Sequence, residues 1–231
     1  MLAVRDVNQY YRQSHILRDL SLVAGPGQCT CLMGRNGVGK TTLLKCIMGL
    51  LPVRRGSIYF GERDITRMSP DARARAGIGY VPQGREIFPQ LTVQENLRVA
   101  LGARADRSRR IPPLIHELFP VLAEMRNRRG GDLSGGQQQQ LAIARALVLD
   151  PSLLLLDEPG EGIQPNIVRQ IGDVIRRLNQ ELGISVLLVE QKLPFARRTA
   201  DHFFIMERGG VVAQGPIAEL DDETVTRYLS V

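Results

Sequence analysis

The chain has no tryptophan, three cysteines and three lysines, and aromatic residues make up only 5% of its 231 positions. So few rings exclude a stacking platform for the bases of single-stranded nucleic acid. Three cysteines do not build a disulfide framework. Cys29 and Cys31 alternate along an apolar run and Cys46 follows on a helical one, so all three are expected in the core. With lysine confined to Lys40, Lys45 and Lys192, 27 of the 30 basic residues are arginine. The net charge of +6 is scattered rather than clustered, which reads as a codon preference of the source and not as a surface for nucleic acid. No apolar run reaches the roughly 18–20 residues that cross a bilayer. The most apolar stretch, residues 147–156, is interrupted by Asp150 and Pro151, and the start lacks the apolar core of a signal peptide. A cytoplasmic chain is expected.

What is present is an alternation of strand-like and helix-like runs, the pattern of an α/β fold. Residues 28–33 form an apolar strand that feeds a Gly-rich turn and a helix over 41–50. Residues 152–157 are a leucine run of the kind buried on both faces of a parallel sheet. Ile167, Ile171, Val174, Ile175, Leu178 and Leu182 recur at helical spacing after it, and residues 184–189 and 202–206 are further strands. Between them the character changes. Thr92 and Glu95 make a capping box that opens a helix through about Leu101. An arginine-rich loop follows (Arg104, Arg107, Arg109, Arg110), then one helical stretch from 113 to 125 and another from about 135 to 147. Residues of about 87–147 are expected to form a helical subdomain inserted in the α/β core, within a single domain spanning 1–231 that leaves no room for a regulatory domain.

Three motifs carry chemistry. Gly34, Arg35, Asn36, Gly37, Val38, Gly39, Lys40 and Thr41 fit G-x-x-x-x-G-K-[ST] between a strand and a helix. Glycines let such a loop turn its N–H groups toward a phosphate, and the helix N-terminus adds partial positive charge. Lys40 can reach the β- and γ-phosphates, and the Thr41 hydroxyl can bind Mg2+. Asp157 and Glu158 follow the leucine strand at its carboxyl end, where α/β sheets place ligand chemistry. There Asp157 is placed to hold Mg2+, through water, and Glu158 to polarise an attacking water. Leu133, Ser134, Gly135, Gly136 and Gln137 open a helix with a hydroxyl and glycine amides, a second anion-binding surface.

This constellation resembles the ABC-type ATPases over essentially the whole chain. The resemblance implies a P-loop NTPase core with a mixed or parallel sheet and an inserted helical subdomain. It implies ATP and Mg2+ as cofactors, with Thr42 beside the phosphate loop and Ser134, Gly135, Gly136 and Gln137 in the nucleotide-binding set. Tyr11 matches the aromatic residue that stacks on adenine, and Gln83 the glutamine that touches Mg2+ and links the site to the helical subdomain. Residues 161–164 match a segment that crosses a dimer interface. A kinase or GTPase would lack the Leu133–Gln137 motif, and DNA-repair relatives carry long coiled coils that are missing here.

Two departures narrow the branch. Gln191 stands where many of these ATPases carry a histidine, and Gln164 replaces a common aspartate. A glutamine can donate to the γ-phosphate but cannot shuttle a proton. Both features resemble the branched-chain amino-acid and urea importer branch, and Pro82–Phe88 with Glu161–Pro165 looks most like the urea-importer ATPase, although Gly160 stands where that subunit usually has threonine. The resemblance implies permease partners at the cytoplasmic face of a bacterial inner membrane, a second ATPase subunit that is the same chain or a related one, and an indirect link to a solute-binding protein. Urea or a short amide is the implied solute, although an ATPase subunit need not touch it.

Overall fold

The computed structural model of the protein describes residues 1–104, 106 and 108–229. Among them two sheets form. One is antiparallel, in the order β2 (Ser14–Ala24), β1 (Leu2–Tyr11), β4 (Arg55–Phe60), β5 (Arg63–Asp64). The other runs β10 (Gly210–Pro216), β9 (His202–Glu207), β3 (Cys29–Met33), β8 (Ser185–Val189), β7 (Leu153–Asp157), β6 (Ile78–Val81). It is parallel apart from the antiparallel β9–β10 pair, hence mixed, as expected. The antiparallel sheet was not legible in advance. Its strands carry charged residues and register shifts that blur a period of two.

The leucine run of β7 explains the layering. Leu153 and Leu155 pack with Leu43 and Ile47 of α1 (Lys40–Met48) and Leu17 and Leu22 of β2. Leu154 and Leu156 point the other way, to Leu141 and Ile143 of α6 (Gly135–Leu147) and Ile171 and Ile175 of α7 (Pro165–Gln180). Each such leucine contributes about 1.5–3 kcal/mol by burial, so a polar residue on either face is costly. The three cysteines are free and buried in these two layers, as expected.

Helix α1 begins at Lys40 and stops at Gly49, whose φ of 79° gives a left-handed cap. The short α2 (Pro70–Arg75) follows the first sheet. The segment between β6 and β7, which pair directly, is helical. It opens with the Thr92–Glu95 capping box on α3 (Val93–Leu101). The single stretch expected over 113–125 is instead two helices, α4 (Pro113–Leu118) and α5 (Pro120–Glu124). Pro120 disfavours the helical region for Phe119, which sits at φ −133° and ψ 72°. The expected apolar face of α7 also ends early. Leu182 lies beyond the helix and is 41% exposed. In the arginine-rich loop, Arg104 bonds Asp106 and the Val148 carbonyl, while Arg107 lies outside the described residues. No described helix is long and apolar enough to cross a membrane.

Candidate nucleotide site

The loop between β3 and α1 is shaped by its glycines. At Gly34, φ is 145° and a Cβ would stand 2.5 Å from the Met206 carbonyl oxygen; at Gly39, φ is 110° and it would meet Leu17 at 2.9 Å. Only glycine fits both positions. No carboxylate occupies the first turn of α1 and no side chain caps it, so its leading amides are free to receive an anion. Lys40, buried, folds back on the loop and donates to the carbonyls of Gly34 (2.8 Å) and Arg35 (3.0 Å), with the Glu158 carboxylate 3.9 Å away. Burial lowers its pKa, against the pull of Glu158 and Asp157. The lysine thus fills its own cradle with backbone oxygens that a phosphate would replace. Thr41 is half-buried, Thr42 buried, and Arg35, Asn36 and Gly37 are exposed above the loop, with Val38 beneath them.

The end of β7 delivers the acidic pair to this loop. Asp157 is 1% exposed, and both its carboxylate oxygens are buried without a hydrogen-bond partner. Burial raises its pKa, and the neighbouring Thr41 hydroxyl pulls it back down. Two orphaned oxygens beside a hydroxyl are what a hard cation with oxygen ligands would satisfy, so the donor set fits Mg2+. No cluster of three or more His, Cys, Asp or Glu suited to a metal occurs among the described residues. A phosphate-bound Mg2+ needs no such cluster, because it takes most of its ligands from phosphate and water.

Glu158 has φ 49°, a left-handed conformation rare for a residue with a side chain, and its N–H donates to the Val189 carbonyl. Such strain clusters where function requires a fixed side chain. Gln191 donates through Nε2 to the Glu158 carboxylate and to Asn36 Oδ1 at 2.7 Å. Gln83 donates to Glu161 at 2.9 Å and reaches Glu158 at 3.5 Å. Lys40, Asn36, Glu158, Gln191 and Gln83, all singled out from the sequence, therefore converge. Asp157 and Thr41 lie beside them. Tyr11 is 44% exposed at the end of β1, in the hairpin whose Ile16 and Leu17 pack against Gly39.

Ser134, Gly135, Gly136 and Gln137 lie elsewhere, at the N-terminus of α6, beside Gly162 and Gln164 in a cleft of about 620 Å3. Ser134 and Gln137 close a capping box on each other. A Cβ at Gly136 would stand 2.9 Å from Ile167, so α6 and α7 touch there. Three functional candidates were missed. Glu161 holds Gln83, and Arg85 donates to Gln138 Oε1 at 3.0 Å, linking the loop after β6 to the start of α6. Glu190, 3% exposed, follows the apolar run of β8, and a lone carboxylate ending such a run was the signal that marked it.

The family described as ABC transporter matches residues 17–161. The chain is 39% identical over 216 residues to the high-affinity branched-chain amino acid transport ATP-binding protein BraG of Pseudomonas aeruginosa, covering 92% of this chain and 91% of that protein. It is 34% identical over 232 residues to the lipopolysaccharide export system ATP-binding protein LptB of Escherichia coli, covering 98% and 95%. Among solved structures it is similar to the dimeric post-hydrolysis state of the ATP-binding cassette MJ0796 bound to ADP and Pi. The TM-score there is 0.83 at 25% identity, over 94% of this chain and 99% of that one. The chain belongs to the ABC transporter family, as an ATP-binding subunit with ATPase chemistry.

Proposed function

We propose that this subunit hydrolyses ATP to energise solute import through partner permeases, in the branch that serves branched-chain amino acids and urea. The observation that carries the catalytic part is the convergence of Lys40, Glu158 and Gln191, with Lys40 Nζ 3.9 Å from Glu158 and Gln191 bonded to that same carboxylate. In this reading the loop amides and Lys40 bind the β- and γ-phosphates, and Tyr11 stacks on adenine. Glu158 polarises the water that attacks the γ-phosphorus as ADP leaves. Gln191 donates to the γ-phosphate and orients Glu158 without taking a proton. Thr41, Asp157 and Gln83 would hold Mg2+, which when bound neutralises phosphate charge. Ser134, Gly135, Gly136 and Gln137 of a second subunit, identical or related, cover the γ-phosphate.

Import is favoured over export by the Gln191 and Gln164 positions, which resemble the importer branch, and by BraG among the relatives. For the solute, residues 82–88 and 161–165 favour urea or a short amide, whereas the name of BraG favours branched-chain amino acids. A cytoplasmic position against the permeases, with a solute-binding protein outside, completes the reading. The test is uptake by the reconstituted transporter of labelled urea, acetamide and leucine, with Glu158→Gln as the inactive control. Leucine uptake without urea uptake would transfer the assignment to amino acids, and uptake of none would sink the branch assignment.

A further inference from the structure

Glu190 is a buried carboxylate to which the mechanism above gives no role. Its Oε1 accepts the backbone N–H groups of both Gln191 (2.8 Å) and Lys192 (2.9 Å). Its own N–H donates to the Leu32 carbonyl at the end of β3, 3.3 Å away. The other oxygen, Oε2, is buried and has no hydrogen-bond partner. A Cβ at Gly160 would lie 3.4 Å from Oε2. Gly160 is not among the glycines with positive φ, so its backbone accepts a side chain. Lys192 Nζ donates to the Gly160 carbonyl at 2.9 Å, which ties the same two loops together from the other side.

A buried carboxylate is expensive unless its hydrogen bonds are needed. Here they hold two successive amides in a loop that no strand pairs, and the first belongs to the residue whose side chain reaches Asn36 and Glu158. We propose that Glu190 is a positioning residue for hydrolysis: it sets the backbone of Gln191 so that the Gln191 amide orients Glu158, and its second oxygen is open to a hydroxyl placed at position 160. This rests on the reading that Gln191 and Glu158 act at the γ-phosphate.

The test is a double-mutant cycle on the assembled transporter, reading kcat and KM for ATP. Glu190→Ala lowers kcat about tenfold and leaves KM within about twofold, as expected for a group that acts only through another. In the Gln191→Ala background the same change costs no more than about twofold, because there is no side chain left to position. Glu190→Gln, whose carbonyl can accept both amides, keeps most of the wild-type kcat. Equal losses from Glu190→Ala in both backgrounds, or a change confined to KM, overturn the proposal. If Gln191→Ala is itself without effect, the reading of Gln191 fails and the proposal with it, an outcome distinct from equal losses. Should Glu190→Ala not assemble, Glu190→Asp serves the same cycle, since a side chain one methylene shorter does not reach both amides. For the open oxygen, Gly160→Ser melts higher than Gly160→Ala, and the difference disappears when Glu190→Ala is added. Equal melting of the two variants in the otherwise unchanged protein removes the claim about Oε2.

Discussion

The side-chain amide of Gln83 donates to the Glu161 carboxylate at 2.9 Å, joining the loop after β6 to the turn after the acidic pair. A second carboxylate, Glu158, lies 3.5 Å from the same nitrogen. Only the NH2 end of an amide suits two carboxylates, so Oε1 is the end left for a metal. Glu161 thereby orients a proposed Mg2+ ligand without touching the ion. Glu161→Ala is expected to raise the Mg2+ concentration for half-maximal ATPase activity about tenfold. A Mg2+ titration at saturating ATP checks this, and an unchanged midpoint would separate Gln83 from the metal.

Glu158→Gln keeps the size of the side chain and removes its basicity. Turnover is expected to fall by about 10²–10⁴-fold while ATP still binds, because general-base contributions are of that size. Nucleotide retention and gel filtration with MgATP should then show a stable closed pair. Wild-type turnover in this variant would dismiss Glu158 as the base.

Arg73 is 2% exposed, and its guanidinium donates to the carbonyls of Cys46 and Ile47, both at 2.7 Å, and to those of Thr66 and Met68. It caps the C-terminus of α1, the helix whose other end carries Lys40, and a cation at that end meets the negative end of the helix dipole. An ammonium group cannot span the same four acceptors. Arg73→Lys is expected to cost about 2–4 kcal/mol, measured as a lower denaturant midpoint at unchanged slope.

Burial raises the pKa of Glu190 above the ordinary glutamate value of 4.5, against the pull of the Lys192 and Gln191 amides. The folded state therefore keeps this proton at a pH where the unfolded chain has released it. The associated stability is fully present below 4.5 and is lost as pH rises through the folded pKa. Glu190→Gln has no such proton to lose. Its melting temperature should gain on that of the unsubstituted protein from pH 4.5 to neutrality, and parallel curves would contradict the shift.

The Arg145 guanidinium stacks 4.5 Å from the centre of the Phe88 ring and donates to the Glu86 carbonyl at 2.7 Å. It lines a cleft of about 280 Å3 with Leu50, Tyr80, Pro82, Ala100 and Leu149, and Phe88 itself is 40% exposed. Phe88 meets the cleft through Arg145. If a short permease helix docks here, Phe88→Asp weakens permease association and solute uptake while ATP affinity stays within about twofold. Pull-down and nucleotide binding on the same preparation measure both. Intact assembly would move the docking surface elsewhere.

Much of the site was legible because its chemistry is local in sequence. The phosphate loop needs closely spaced glycines between a strand and a helix, and the acidic pair needs an uninterrupted apolar strand to carry it. Both are properties of short segments, and the capping box at Thr92 formed as its spacing required. The break at Pro120 was local too, but helical periodicity on either side of it masked the restriction that proline places on Phe119. What segments alone could not determine is which side chains meet across the sheet. Gln83 lies 78 residues from Glu161, and Asn36 lies 155 from Gln191. The neighbouring order of β3, β8, β7 and β6 brings their ends to one edge. That order is decided by burying both faces of β7 between α1 and the helices α6 and α7, a balance of packing over the whole chain. Only the folded layers could therefore reveal that Glu190, in sequence no more than a lone carboxylate after an apolar run, holds the loop that presents Gln191.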